Sequence, residues 1–277
     1  MRKINYPLIV SDFDGTLVNA NGTISEKNKK AIAEYVAAGG IFALSSGRLP
    51  AGILTRAKEL GLKGKVCCCQ GAIIVDIESK EVILEGRLSL ESTVAACKKM
   101  ESLDLHIHAY DLWDFYVNKD DEALRIYKLM VKTTPTLVLD KPLSQYLEEN
   151  NLPMYKLVAM VEPENNAHVL SELAKENFEG CEVTKSADYL VEVVNANYSK
   201  GTAVEFLAKY YGISIDKVIA VGDQLNDMSM IEKAGLGIAV KNAEEALKEK
   251  ANYVCAYTNE EGAIAEIIEK FGFCEEN

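Results

Sequence analysis

The sequence predicts an α/β protein in which a parallel-sheet core is interrupted by an inserted α+β segment. Three observations carry this expectation. Short, wholly apolar runs alternate with helix-patterned stretches at both ends of the 277-residue chain. A middle third instead alternates polar and apolar residues, as antiparallel strands do. Several of the apolar runs end in aspartate, serine or Gly-Asp clusters. Strand, helix and strand joined by short connections imply right-handed crossovers and a parallel sheet.

The first run, Leu8 to Val10, has the character of a buried strand and leads into Ser11-Asp12-Phe13-Asp14-Gly15-Thr16. Asp and Gly are ordinary turn residues, but carboxylates gathered at a strand end repel one another unless a cation or proton resolves the charge. A calcium loop of the EF-hand type needs its glycine and glutamate further along. Here Gly15 follows Asp14 at once, which excludes that reading. Thr16 to Ile24 reads as a hairpin around Asn21-Gly22. Ser25 caps a helix to about Ala38, with Ala31, Ile32, Tyr35 and Val36 on one face and Gly39 as its stop. Ile41 to Leu44 is a second strand running into Ser45-Ser46-Gly47-Arg48, and Pro50 opens the next helix. Val66 to Cys69 is a third, leading into Gln70-Gly71-Ala72.

From about Glu81 the rhythm changes. A strand at Val82 to Leu84, a helix capped by Ser89, and an antiparallel pair at 105–110 and 114–118 begin the insert. Helices near 120–131, 142–150 and 164–177 alternate with strands near 136–139, 154–161 and 181–184. The pattern is that of helices on one face of a mixed sheet. From Tyr189 the chain returns to buried-run character at Leu190 to Val194, then a helix opened by Ser199-Lys200-Gly201. Val218 to Val221 is a further strand, ending in Gly222-Asp223-Gln224-Leu225-Asn226-Asp227. Alternating helices and strands complete the chain. The expected domains are residues 1–83 and 189–277 as the two parts of the core, with 84–188 inserted between them.

Composition narrows the function. A net charge of −12 without a basic run argues against a nucleic-acid partner. An anionic substrate must then be drawn in by local cations against the global field. Seven cysteines, an odd number, include Cys67-Cys68-Cys69 in a row. Neighbours in a strand point to opposite faces, so the triplet suits neither a disulfide framework nor zinc spacing. Buried thiols in a reducing, cytoplasmic setting are the expectation. No signal-like segment opens the chain and no apolar run is long enough for a bilayer, so no membrane partner is expected.

Asp12, Ser46 and Asp223 all fall at the carboxyl ends of expected parallel strands, and Lys200 at a helix start. In open α/β sheets such ends converge on one crevice at the switch in strand order. Each residue alone has a plainer explanation: Lys200 as a solvated lysine, Asp227 as a carboxylate favoured by a helix dipole. Their equivalent placement does not.

These residues resemble the motifs of haloacid dehalogenase superfamily phosphatases of the Cof-like branch. Asp12-Phe13-Asp14-Gly15-Thr16 is similar to the first motif and Ser46 in Ser45-Ser46-Gly47-Arg48 to the second. Lys200 is similar to the third and Gly222-Asp223-Gln224-Leu225-Asn226-Asp227 to the fourth. Ser46 stands where threonine is usual and keeps the hydroxyl; Gln70 stands where asparagine is more usual. The resemblance implies a Rossmann-like core with a type II α+β cap, and a Mg2+-dependent phosphatase acting on small phosphorylated metabolites such as sugar phosphates. It further implies Asp12 as nucleophile, Asp14 as acid and base, and Ser46 and Lys200 as phosphoryl-binding groups. The implied Mg2+ ligands are Asp12, Asp223 and the backbone carbonyl of Asp14, with Asp227 orienting bound water; Gly47, Arg48 and Asn226 would face the substrate. A phosphomutase, or a non-catalytic binder on the same fold, are the alternatives. In the cap, His106, His108, Tyr116, Lys156 and Lys185 are candidates for meeting the substrate.

Overall fold

The computed structural model describes residues 2–19, 21–131 and 134–274. The chain forms two compact units, one of Met1–Glu85 with Tyr198–Asn277 and one of Gly86–Asn197.

The larger unit begins with β1 (Leu8–Asp12), α1 (Glu26–Ala37), β2 (Ile41–Ser45), α2 (Pro50–Glu59), β3 (Lys65–Cys68), β4 (Ile73–Asp76) and β5 (Val82–Glu85). The smaller unit follows with α3 (Leu90–Ser102), β6 (His106–Tyr110), β7 (Phe115–Val117), α4 (Glu122–Val131), β8 (Thr136–Leu137), α5 (Leu143–Glu149), β9 (Lys156–Met160), α6 (Asn166–Ala174), β10 (Cys181–Ala187) and β11 (Leu190–Asn195). The chain then returns to the larger unit with α7 (Lys200–Tyr210), β12 (Val218–Gly222), α8 (Met228–Lys233), β13 (Leu236–Ala239), α9 (Glu245–Lys248), β14 (Tyr253–Val254) and α10 (Ala263–Ile267).

The larger sheet has the order β14-β13-β12-β1-β2-β3-β4-β5. It is parallel from β14 to β3, and β4 and β5 add to its edge as antiparallel strands. Strand order therefore reverses at β1, which lies between β2 and β12, and this switch point is where α/β sheets bind ligands. All five residues of β1 are buried, because a central strand is covered on both faces.

The hairpin expected at 16–24 does not form among the described residues. Phe13 carbonyl accepts from Leu17 and Val18 N–H, and the Asn19 carboxamide oxygen accepts from Asn21 N–H and Thr23 N–H. A side chain thus takes the Thr23 amide while Asn19 N–H donates to the Thr23 carbonyl at 3.0 Å, so the segment closes as a turn without a strand ladder among the described residues. Ser25 does cap α1, its hydroxyl accepting from Asn28 N–H.

In the smaller unit the sheet order is β10-β11-β9-β6-β7-β8, antiparallel except for β7 with β8. One face carries Ile107, Ala109, Leu157, Ala159, Val191 and Val193 against Cys97 and Met100 of α3, Leu147 of α5 and Leu173 of α6. Contrary to the one-sided expectation, α4 lies on the opposite face, with the Tyr127 ring 4.5 Å from that of His108.

The expected domain boundary at 189 needs correction. Leu190–Asn195 pairs with β9 and β10 and belongs to the smaller unit, not to the second part of the core. The run reads as a buried parallel strand because both of its faces are covered. Val191 and Val193 enter the apolar core, and Glu192 is buried on the other side with Lys156, 3.1 Å away.

His108, fully buried, has its pKa lowered to about 3 by burial, with His106 and Lys156 adding repulsion. An unfolded histidine titrates near ~6.5. Between those values the unfolded chain binds one more proton, so acidification from about pH 6.5 to 3 removes up to roughly 1.4 kcal/mol of stability per pH unit. An NMR titration should find the His108 imidazole neutral at pH 5; a midpoint near 6.5 would contradict its burial.

Candidate active site

The site grows from the end of β1. Asp12 is its last residue and only 5% exposed. The chain then turns through Gly15, whose φ is +83°. A Cβ there would come within 2.3 Å of Asp223 Oδ2, so only glycine lets this loop press against the end of β12. The next residue, Thr16, donates its hydroxyl to Asp223 Oδ1 at 2.5 Å, tying the two loops together.

Lys200 is the first residue of α7, and Ser199 caps that helix by accepting from Thr202 N–H. Gly201 allows α7 to approach α8; a Cβ there would meet the Ser229 carbonyl oxygen at 2.5 Å. The lysine is only 1% exposed. Its ammonium donates to Asp12 Oδ1 at 2.5 Å and to Asp227 Oδ1 at 2.6 Å. Asp227 is fully buried, and its Oδ2 accepts from the amides of Asp223 and Gln224. Both of its oxygens are therefore engaged in holding Lys200 and the loop that carries Asp223.

Asp12, Asp223 and Asp227 each offer a carboxylate oxygen within 4.8 Å of the others. Burial pushes the Asp12 carboxyl well above the ordinary range, and the charge of Asp227 adds to it while Lys200 opposes it. Burial likewise takes Asp223 up to about 6, against the Thr16 hydrogen bond. Burial alone would lower the Lys200 ammonium, but Asp12 and Asp227 outweigh it and move it up. Fully ionised, three carboxylates against one ammonium would carry two surplus negative charges in a buried space, a load that the raised Asp12 and Asp223 pKa values resist. That surplus and the hard oxygen donors fit a divalent cation of the magnesium type.

Asp14 is not in this cluster. Its carboxylate is half exposed and is gripped by Arg48, with Nε to Oδ2 at 2.8 Å and Nη2 to Oδ1 at 2.7 Å. Ser46 follows β2 and is buried, its hydroxyl accepting from Arg48 N–H at 3.2 Å. Gly47 lies beside the Gln70 carboxamide, and Asn226 Nδ2 donates to Gln70 Oε1 at 3.3 Å. Asp12 ends β1, and Asp14, Ser46, Gly47, Arg48, Lys200, Asp223, Asn226 and Asp227 fall in loops, short turns or helix starts of the larger unit. Thr16 and Gln70 were not among the expected site residues; Thr16 was legible from its place in the Asp-x-Asp-Gly-Thr run.

The candidates of the smaller unit have partners of their own. His106 and His108 share a face, with their Nε2 atoms 2.9 Å apart. His106 Nδ1 is 2.9 Å from Asp121 Oδ1 but out of hydrogen-bond alignment. Lys156 pairs with Glu192, Lys185 with Asp188, and Tyr116 packs on the apolar core beside Tyr146.

A family model of haloacid dehalogenase-like hydrolases matches residues 9–268. A Haemophilus influenzae protein named as a candidate phosphatase is 30% identical, over 96% of this chain and 98% of its own. The Bacillus subtilis 5-amino-6-(5-phospho-D-ribitylamino)uracil phosphatase YcsE is 29% identical, over 96% of this chain and 95% of its own. The crystal structure of a haloacid dehalogenase-like hydrolase from Bacteroides thetaiotaomicron superposes with a TM-score of 0.84 at 30% identity, covering 96% of this chain and 99% of that one. With the family model spanning nearly the whole chain and Asp12, Lys200 and Asp223 meeting at the switch point, the protein belongs to the haloacid dehalogenase-like hydrolases.

Proposed function

We propose that this hydrolase is a Mg2+-dependent phosphatase that cleaves small phosphorylated metabolites, sugar phosphates or related cofactors, through an aspartyl-phosphate on Asp12. The observation that carries the reading is Lys200, buried between Asp12 and Asp227 at the end of the central strand. A phosphate monoester dianion repels a carboxylate nucleophile, and a fixed ammonium in a site of low dielectric offsets that repulsion.

Asp12 attacks phosphorus as the bond to the leaving oxygen breaks, and Asp14 supplies the proton that this oxygen needs. In the second step Asp14 takes a proton from water, the resulting hydroxyl attacks phosphorus, and the Asp12–phosphorus bond breaks to give inorganic phosphate. The Ser46 hydroxyl and the Lys200 ammonium donate to phosphoryl oxygens whose charge grows in the transition state. Asp12, Asp223 and the Asp14 backbone carbonyl would hold Mg2+, which supplies counter-charge for the two surplus negative charges and the phosphoryl group. Asp14 reaches the leaving oxygen only when its fork with Arg48 opens or is shared, which gives Arg48 a part in substrate entry. The name of the Bacillus subtilis relative, a phosphorylated ribityl compound, supports a small polyhydroxylated leaving group.

Purified protein should release inorganic phosphate from members of a panel of phosphorylated metabolites when Mg2+ is present. EDTA should abolish release and excess Mg2+ restore it. Asp223→Ala should raise the Mg2+ concentration needed for activity far more than it lowers the melting temperature. A broad panel that yields no phosphate, p-nitrophenyl phosphate included, would sink the reading.

A further inference from the structure

The turn that follows β3 has three successive residues in the left-handed region: Cys69 at φ 48°, Gln70 at 57° and Gly71 at 95°. Such angles are uncommon for residues other than glycine, and they persist where the surroundings over-determine them. The surroundings here are the catalytic loops. Cys69 N–H donates to the Arg48 carbonyl at 3.0 Å and Gln70 N–H to the Ser46 carbonyl at 3.2 Å, which stitches the turn to the loop after β2. A Cβ on Gly71 would lie 2.2 Å from the carbonyl oxygen of Ser199, so the turn also presses on the cap of the helix that presents Lys200.

The Gln70 side chain extends this grip. Its Oε1 accepts from Asn226 Nδ2 at 3.3 Å, and its Nε2 lies so close over Gly47 that a Cβ there would be 2.7 Å away. Asn226 Oδ1 is buried with no hydrogen-bond partner among the described residues, which leaves an acceptor beside the amide pair. One residue therefore touches the loop of Ser46 and the loop of Asp223, and its own backbone belongs to the turn under Lys200. Glycine at this position would meet the backbone demand without strain. It would bring no carboxamide, so the glutamine is explained by what its side chain holds.

We propose that Gln70 is a positioning residue for phosphoryl transfer: its carboxamide clasps Gly47 and Asn226 and keeps the Ser46 hydroxyl and the Lys200 ammonium in register with Asp12. The proposal rests on the phosphatase reading above. Misplacing donors by a fraction of an ångström slows chemistry more than it weakens binding.

The test compares wild type, Gln70→Gly and Gln70→Asn on p-nitrophenyl phosphate, with inhibition by orthovanadate, a stand-in for the transferring phosphoryl group. Gln70→Gly should melt at the wild-type temperature or higher, while kcat falls by about tenfold to a hundredfold. KM should change by less than about threefold, and vanadate inhibition should weaken roughly in step with kcat/KM. Gln70→Asn, which tolerates the left-handed backbone and restores a carboxamide, should recover part of the loss. Two results would overturn the proposal: wild-type kcat/KM and vanadate inhibition in Gln70→Gly, or a loss that follows a lowered melting temperature and is not rescued by asparagine. A wild-type enzyme without phosphatase activity would overturn the phosphatase reading, and this proposal with it, a result distinct from an active enzyme indifferent to Gln70.

Discussion

Asp12→Asn should abolish steady-state phosphatase activity, by at least about a thousandfold in kcat, or about 4 kcal/mol in the barrier, and leave the fold in place. The carboxamide keeps the shape of the side chain but not its nucleophilicity. The neighbourhood also tolerates the change. Lys200 keeps its second carboxylate, Asp227, at 2.6 Å, so no buried ammonium is stranded. Removing a negative charge from a group of three buried carboxylates relieves the repulsion that Asp227 and Asp223 add to burial at Asp12. The same logic warns against Lys200→Ala as a first test. That change leaves buried carboxylates without their cation, which typically costs about 3–5 kcal/mol of stability and confounds folding with catalysis. Kinetics with an alkyl phosphate beside a thermal melt decide the matter. Residual turnover above about a thousandth of wild type would remove Asp12 from the nucleophile's place.

Much of this site was legible because polar residues at the ends of apolar runs betray parallel strands. Asp12 and Asp223 end or follow strands that are buried throughout, and Ser46 comes directly after β2. Which sheet a strand joins was less legible. Leu190 to Val194 looks like a core strand because Glu192 finds a buried lysine on another strand, a partner that the local pattern does not reveal. Strand β4 was missed for a related reason: Ile73 to Val75 follows so closely on the glycine turn that it reads as part of the loop, and antiparallel pairing with β3 on one side and β5 on the other is what makes it a strand. Cross-loop contacts were the least legible of all. The grip of Arg48 on Asp14 spans 34 positions, and that of Asn226 on Gln70 spans 156. Nothing in residue type or spacing announces either.

The Arg48 fork sets the terms for the second large effect, Asp14→Asn. The substitution keeps the backbone carbonyl proposed for Mg2+ and nearly all of the side-chain volume. Asp14 and Arg48 are both partly exposed, their side chains 50% and 38%, so the ion pair contributes little to stability and its loss should leave the melting temperature nearly unchanged. What disappears is proton transfer, typically worth roughly 10²–10⁴ in rate. The penalty should depend on the leaving group. An alkoxide needs a proton as it departs, so transfer from an alkyl phosphate to Asp12 should carry the full loss. A p-nitrophenolate hardly needs one, so its first step should remain fast. Hydrolysis of the aspartyl-phosphate still requires a base, and the variant should therefore show a burst of p-nitrophenolate followed by slow turnover. Rapid-mixing kinetics with both substrates read the two steps separately. Equal losses for both substrates, with no burst, would show that Asp14 is not the general acid and would leave its pairing with Arg48 as its main role.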